Sequence, residues 1–296
     1  MHNAESRKLS YKIANGVIML IMILLMLITI YPLYYTICAS FSDARALLRN
    51  NDLLLKPLEP FTLDGYKAVF SNPSIVKSFG NTVFYVVVGT AISMALTIAG
   101  AFVVSRSYFL PRNVMMKGML FTMFFGGGLI PWFFVVRDLG MYNTRWAIVI
   151  PAALSTYNLI IMRSFFLSIP SALEESALLD GANDFQVLTH IILPLSTPVL
   201  AVIGMYYAVG QWNGWYHSLI FHRTRELYPL QMILRELLIL NEMTGSDSAA
   251  DFVEEAFNRD LIKYCTIVVT TVPILIIYPF LQRYFVKGVM IGAIKG

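Results

Sequence analysis

Charge is what this 296-residue chain has least of: Asp, Glu, Lys and Arg make up 14% of it, against about 25% in soluble domains. With 57% hydrophobic residues and a mean hydropathy of +0.65, that shortage excludes an ordinary soluble fold. Cysteine is nearly absent. Cys38 and Cys265 lie far apart, in or beside apolar runs, so neither a disulfide framework nor a thiolate metal site is encoded. Each is read as a small buried hydrophobe. The net charge of +4 is spread along the chain and indicates no nucleic-acid partner. There is no G-x-x-x-x-G-K-[ST] phosphate loop, no H-E-x-x-H and no G-x-S-x-G. Of the four histidines only His217 and His222 are close, with no acids at ligand spacing; a metal site or a membrane-embedded enzyme centre has little support there.

What the chain has instead is long apolar runs. A hydrocarbon core about 30 Å thick takes about 20 apolar residues per helix. Six stretches meet or approach that length, at 14–39, 82–104, 115–136, 146–162, 197–216 and 262–281. Backbone groups in lipid must be satisfied within the segment or a closed barrel, so runs of this length predict an all-α, polytopic membrane protein. Residues 1–296 are expected to form one transmembrane domain. The first stretch is too long for a cleaved signal. The residues before Cys38 do not suit lipidation, which leaves a retained first helix.

Loop charge hardly orients the six stretches. With both termini inside, the inner segments carry ten Lys/Arg and the outer ones twelve. The cluster Arg106, Arg112 and Lys117 and the basic tails favour termini on the cytoplasmic side. Two outer segments, 40–80 and 217–261, are long enough to fold or to bind a partner. The second carries Arg223, Arg225, Glu242, Asp247, Asp251, Glu254, Glu255 and Asp260, and reads either as a solvated acidic loop or as a binding surface. No charged residue lies in the middle of any stretch, which argues against a secondary, ion-coupled transporter. That transporter is the alternative to a path for a polar solute driven from elsewhere.

The inner segment 170–194, PSALEESALLDGANDFQVLTHIILP, is unusually structured for a membrane loop. Ser171-x-x-Glu174 has capping-box spacing and predicts a helix over 172–179. Gly181 supplies the left-handed residue that ends it. Asn183-x-x-Gln186 repeats the box and predicts a second helix over 184–192, stopped before Pro194. Ala177, Gly181 and Ala182 form a small-residue corner that another protein's surface can approach closely.

These residues carry a resemblance. Glu175-Ser176-Ala177-x-x-Asp180-Gly181, then nine residues, then Ile191-x-Leu193-Pro194 resembles the EAA loop of binding-protein-dependent ABC importer permeases. Ser176 stands where alanine is usual and Leu188 where an aromatic is frequent. The likeness covers most of the chain and is closest to carbohydrate permeases of the maltose-transporter type. Gln211-Trp212-Asn213-x-Trp215, Tyr228-Pro229-Leu230-Gln231 and the tail from Phe285 to Gly296 are similar to the complex-oligosaccharide subgroup.

The resemblance implies a permease subunit that is no enzyme. It would sit in a bacterial cytoplasmic membrane, pair with a second permease, rest on two ATPase subunits and receive sugar from an extracellular solute-binding protein. It implies no cofactor in this chain, with ATP and Mg held by the ATPases. Glu174, Glu175, Ala177, Asp180, Gly181, Ala182, Ile191, Leu193 and Pro194 would make the ATPase-coupling element. The tail would enter the ATPase interface or simply end the chain.

Candidate substrate-path residues are Trp132, Tyr157, Asn158, Gln211, Trp212, Asn213 and Trp215. Aromatic rings stack on sugar faces and amides bond hydroxyls. The same aromatics also populate interfacial belts, and Gly126-Gly127-Gly128 equally serves close helix packing.

Overall fold

The computed structural model describes residues 2–50, 52–243 and 261–279, and every regular element among them is helical. Asp247, Asp251, Glu254, Glu255, Asp260 and the tail from Phe285 lie outside the described residues. In chain order the helices are α1 (His2–Ser40), α2 (Ala44–Arg49), α3 (Asp64–Ser71), α4 (Pro73–Ser105), α5 (Arg112–Phe124), α6 (Leu129–Asp138), α7 (Trp146–Val149) and α8 (Thr156–Phe166). They continue with α9 (Ser171–Leu179), α10 (Asp184–Val187), a π turn (Leu188–Ile192), α11 (Leu193–Leu195) and α12 (Thr197–Trp212). Last come α13 (Tyr216–Phe221), α14 (Leu230–Met243) and α15 (Leu261–Pro279).

Among the described residues, three helices are long and apolar enough to cross a bilayer: Tyr11–Ser40 of α1, α4 and α15. Two further candidates are bent pairs, α5 with α6 at 116° and the 184–195 arm with α12 at 86°.

The stretches expected as single helices differ from this in three places. The run 115–136 breaks at Gly126–Gly128, where Gly128 has φ +85°, a value glycine adopts without strain. The run 146–162 is interrupted between α7 and α8. Pro151 cannot donate to the helix ladder, and Ser155 caps a fresh helix by accepting the Asn158 N–H. The run 197–216 stops at Trp212, before Asn213-Gly214. Conversely α4 starts before residue 82, because Asn72 caps it and Pro73 sits at its first position. The 40–80 segment is itself partly helical in α2 and α3.

The described residues fall into two compact units, one drawn from 1–71 and 237–269, the other from 72–236 and 270–296. In the first, Asp43 caps α2 by accepting the Arg45 and Ala46 N–H groups, each at 3.0 Å. Both cysteines are buried free thiols there, and Cys265 Sγ donates to the Ser40 carbonyl at 3.4 Å. Gly65 admits this packing, since a Cβ at that position would come within 2.6 Å of Cys265 Sγ.

The second unit is built around α4, which packs chiefly against α12 and α8. Phe102 and Val104 of α4, Leu159 and Phe166 of α8, and Ile203 of α12 share its core. Tyr207 ties the three elements: its hydroxyl bonds Thr97 Oγ1 at 2.7 Å and accepts the Ser155 N–H at 3.1 Å. At the other end of α4, Asn81 donates to the Glu226 carbonyl (2.7 Å) and the Tyr85 hydroxyl to that of Leu227 (2.8 Å). Those side chains tie the short turn Arg225–Leu227 to α4.

Candidate functional site

The 170–194 segment forms as two helical pieces joined at a glycine, with two differences from its sequence reading. Ser171 makes no capping hydrogen bond; Pro170 holds the cap position of α9. Glu174 instead pairs with Arg106, which leaves the two side chains 17% and 6% exposed. Removing one partner of a buried ion pair costs about 3–5 kcal/mol, because the other charge is left buried without a counterion. The second piece does not stop before Pro194. A π turn lets the Leu193 N–H reach the Leu188 carbonyl, and the widened ladder carries the helix past the proline to Leu195.

The corner itself is fully bonded. The Ala182 N–H reaches the Ala177 carbonyl at 2.9 Å and the Gly181 N–H that of Leu178 at 3.1 Å, with Gly181 at φ +86°. This is a Schellman closure, which satisfies the last carbonyls of α9. Asn183 and Gln186 exchange both bonds of a capping box, each at 2.9 Å. Ala177, Ala182 and Ile191 pack partly against the core. Glu175, Asp180 and Gly181 face outward, and a Cβ on Gly181 would meet only open space.

A cleft of about 410 Å³ opens here between Ala177, Asp180, Gly181, Gln186 and His190. Leu179 and Phe185 flank Gly181 in sequence and are 88% and 72% exposed. Both are large apolar side chains standing exposed on an otherwise polar loop. They were not among the expected coupling residues, although an apolar residue on each side of the glycine was a readable signal. Leu193 is half-buried and Pro194 exposed at the start of the turn into α12.

A second hydrogen bond joins this segment to the α4–α5 connection: the Tyr108 hydroxyl donates to Asp184 Oδ1 at 2.8 Å. Partial burial, followed by the bond to Asp184 and the Asp184 and Glu174 charges, pushes the Tyr108 hydroxyl up to about 12, so it remains a donor at neutral pH.

A separate cleft, also about 410 Å³, lies where α8, α12 and α13 meet. Four of the expected path residues line it: Asn158, Gln211, Asn213 and Trp215. Three do not. Trp212 is buried, donates its indole N–H to the Thr270 carbonyl at 3.0 Å and meets Phe79 edge-on. Trp132 packs with His217 and Phe221. Tyr157 is exposed outside the cleft. Helical periodicity separates the two nearby tryptophans, because Trp212 ends α12 whereas Trp215 follows the Asn213-Gly214 break.

The cleft adds residues not expected from sequence, among them Ser155, Tyr206, Tyr207 and His217. Among the described residues, none that lines it is an Asp, Glu, Lys or Arg. Gln211 lies directly against the α4 backbone, where a Cβ on Gly89 would come within 2.8 Å of its Nε2. The Arg235 guanidinium stands 4.6 Å from the Trp215 ring centroid and steadies that ring by a cation–π contact. His222 bonds Ser218 Oγ (3.1 Å) and the Thr144 carbonyl (3.0 Å), both structural contacts. The arrangement offers amides, hydroxyls and an aromatic face to a neutral or polar solute.

Residues 113–221 match the family described as binding-protein-dependent transport system inner membrane component. Protein LplC of Bacillus subtilis (strain 168) is 40% identical over 91% of this chain and 90% of its own length. The polygalacturonan/rhamnogalacturonan transport system permease protein YtcP of the same organism is 38% identical over 91% of this chain and 94% of its own. Among solved structures, a chain of a bacterial ABC transporter involved in import of the acidic polysaccharide alginate superposes with a TM-score of 0.86 at 31% identity, covering 93% of this chain and 98% of that one.

Proposed function

Because the chain belongs to the family of binding-protein-dependent transport system inner membrane components, an ABC importer permease and not an enzyme, we propose that it moves an oligosaccharide across the bacterial cytoplasmic membrane by ATP-driven alternating access. The names of its relatives, one a permease for polygalacturonan and rhamnogalacturonan and one part of an alginate importer, support a sugar polymer fragment as cargo. The whole chain, 1–296, acts as one transmembrane domain of six spans, with the interrupted 115–136, 146–162 and 197–216 runs each counted once. Both termini and the 170–194 segment face the cytoplasm.

On this reading the chain pairs with a second permease, and each rests on an ATPase subunit that binds ATP and Mg; this chain holds no cofactor. The 170–194 element docks in a groove of the ATPase, with Gly181 at the point of closest approach. Leu179 and Phe185 supply apolar contact, and Glu175 and Asp180 supply polar contacts. Ile191, Leu193 and Pro194 join the element to α12. A solute-binding protein delivers sugar to the path that includes Asn158, Gln211, Asn213 and Trp215. The observation that carries this reading is the fully capped corner at Gly181, with two apolar side chains left uncovered beside it. A secondary, ion-coupled carrier is not favoured, since the relatives are ABC importer components and no carboxylate among the described residues lines the cleft.

Purification in mild detergent without crosslinking tests the assembly. The chain is expected to retain a second permease and an ATPase. Recovery of the chain alone, from a membrane that contains both, contradicts the proposal.

A further inference from the structure

The last turn of α4 gathers three arginines. Arg106 donates from Nε to Ser105 Oγ (3.1 Å), lies 4.7 Å from the Phe102 ring centroid and pairs with Glu174 of α9. Arg112 donates to the Arg106 carbonyl at 3.2 Å and Arg163 to that of Val104 at 3.0 Å. Terminal helix carbonyls lack partners within the helix, and cations are favoured at that end, so this cluster makes the end of α4 rigid. Two ties then bind that rigid end and the connection after it to the 170–194 segment. One is the buried Arg106–Glu174 pair, the other the bond from Tyr108 to Asp184. Further back along the same helix, Gly89 receives the side chain of Gln211, a wall of the cleft. At 1.5 Å per residue, the helix from Gly89 to Arg106 spans about 25 Å.

We propose that Arg106 and Tyr108 are positioning residues that lock the coupling segment to the end of α4, so that displacement of the segment moves α4 as one lever and shifts the Gln211 wall of the cleft. This rests on the permease reading above and adds to it the route inside this chain. An unbroken helix tied to the segment at Arg106 and packed against Gln211 at Gly89 transmits displacement between those two points; a segment held only by its flexible connections would absorb it.

The test uses the complete transporter in lipid vesicles, with Tyr216→Cys, a cleft-lining position outside the named path residues, as the reporter. Cys38 and Cys265 of this chain are buried, and labelling by an impermeant maleimide is read as the difference from the same complex without the introduced cysteine. In the parent complex, adding ATP with Mg and vanadate is expected to change the labelling rate. Arg106→Gln is expected to reduce that change, per assembled ATPase-active complex, by about threefold or more, the scale of a lost coupling contact. Arg106→Lys, which keeps the charge, should restore part of it. Tyr108→Phe removes one exposed hydroxyl and should reduce the change by about twofold without loss of assembly; it decides the question if Arg106→Gln fails to assemble.

A full nucleotide response in Tyr108→Phe together with either a full response or no assembly in Arg106→Gln overturns the lever. A merely structural role predicts less complex with an unaltered response per complex, which also overturns it. Absence of any nucleotide response in the parent contradicts the permease reading itself, a separate outcome.

Discussion

Replacing Gly181 with tryptophan is expected to leave the chain folded in the membrane while abolishing its control over the ATPase. The corner has φ +86° and open space around it, so the protein has room for a large side chain on this side. Any residue with a Cβ pays a conformational cost there. Alanine isolates that cost at about 1 kcal/mol, which is about fivefold at most in an equilibrium it biases. Tryptophan adds bulk at the centre of the proposed docking surface, where losses of about 2 kcal/mol or more, some 30-fold in affinity, are typical. Sugar- and binding-protein-stimulated ATP hydrolysis measured for the parent, Gly181→Ala and Gly181→Trp should therefore fall steeply only in the last. Equal stimulation in all three would remove Gly181 from the interface.

The second large effect separates two tryptophans that are three positions apart. Trp212→Ala empties a buried site, removes the indole bond to the Thr270 carbonyl and uncovers Phe79. Its expected cost is about 3–5 kcal/mol of stability, visible as much earlier thermal aggregation in detergent. Trp215→Ala lines the cleft and is steadied by Arg235, so it should melt close to the parent and lose sugar uptake instead. If Trp212→Ala melts like the parent, or Trp215→Ala fails through instability, these roles are wrongly divided.

The same pair illustrates what the sequence could and could not convey. Composition makes Gln211-Trp212-Asn213-x-Trp215 a single polar-aromatic cluster. Only the end of α12 before Gly214 turns one ring into the interior and the other to the cleft. Local chemistry was legible: the Asn183–Gln186 box and the left-handed Gly181 depend on residues within one or two turns, and both form as expected.

Ser171 and Glu174 had equally good capping spacing, yet Glu174 is taken by Arg106, 68 positions away, which no local pattern encodes. Helix interruptions were written in Pro151 and Gly126–Gly128 but masked by continuous hydrophobicity around them. Pro194, a strong stop signal, was overridden by the π turn before it. Cleft residues from other elements, such as Ser155 and Tyr207, needed the packing of α4, α8 and α12 to become visible.

The central claim is that transport through this chain is driven by ATP through partner subunits. Its most direct test is sugar accumulation in vesicles containing the complete assembly, supplied with the solute-binding protein and an oligosaccharide it binds. The account predicts accumulation that requires ATP hydrolysis and the binding protein and persists when proton and sodium gradients are collapsed. Accumulation without ATP, following an imposed ion gradient, would contradict it.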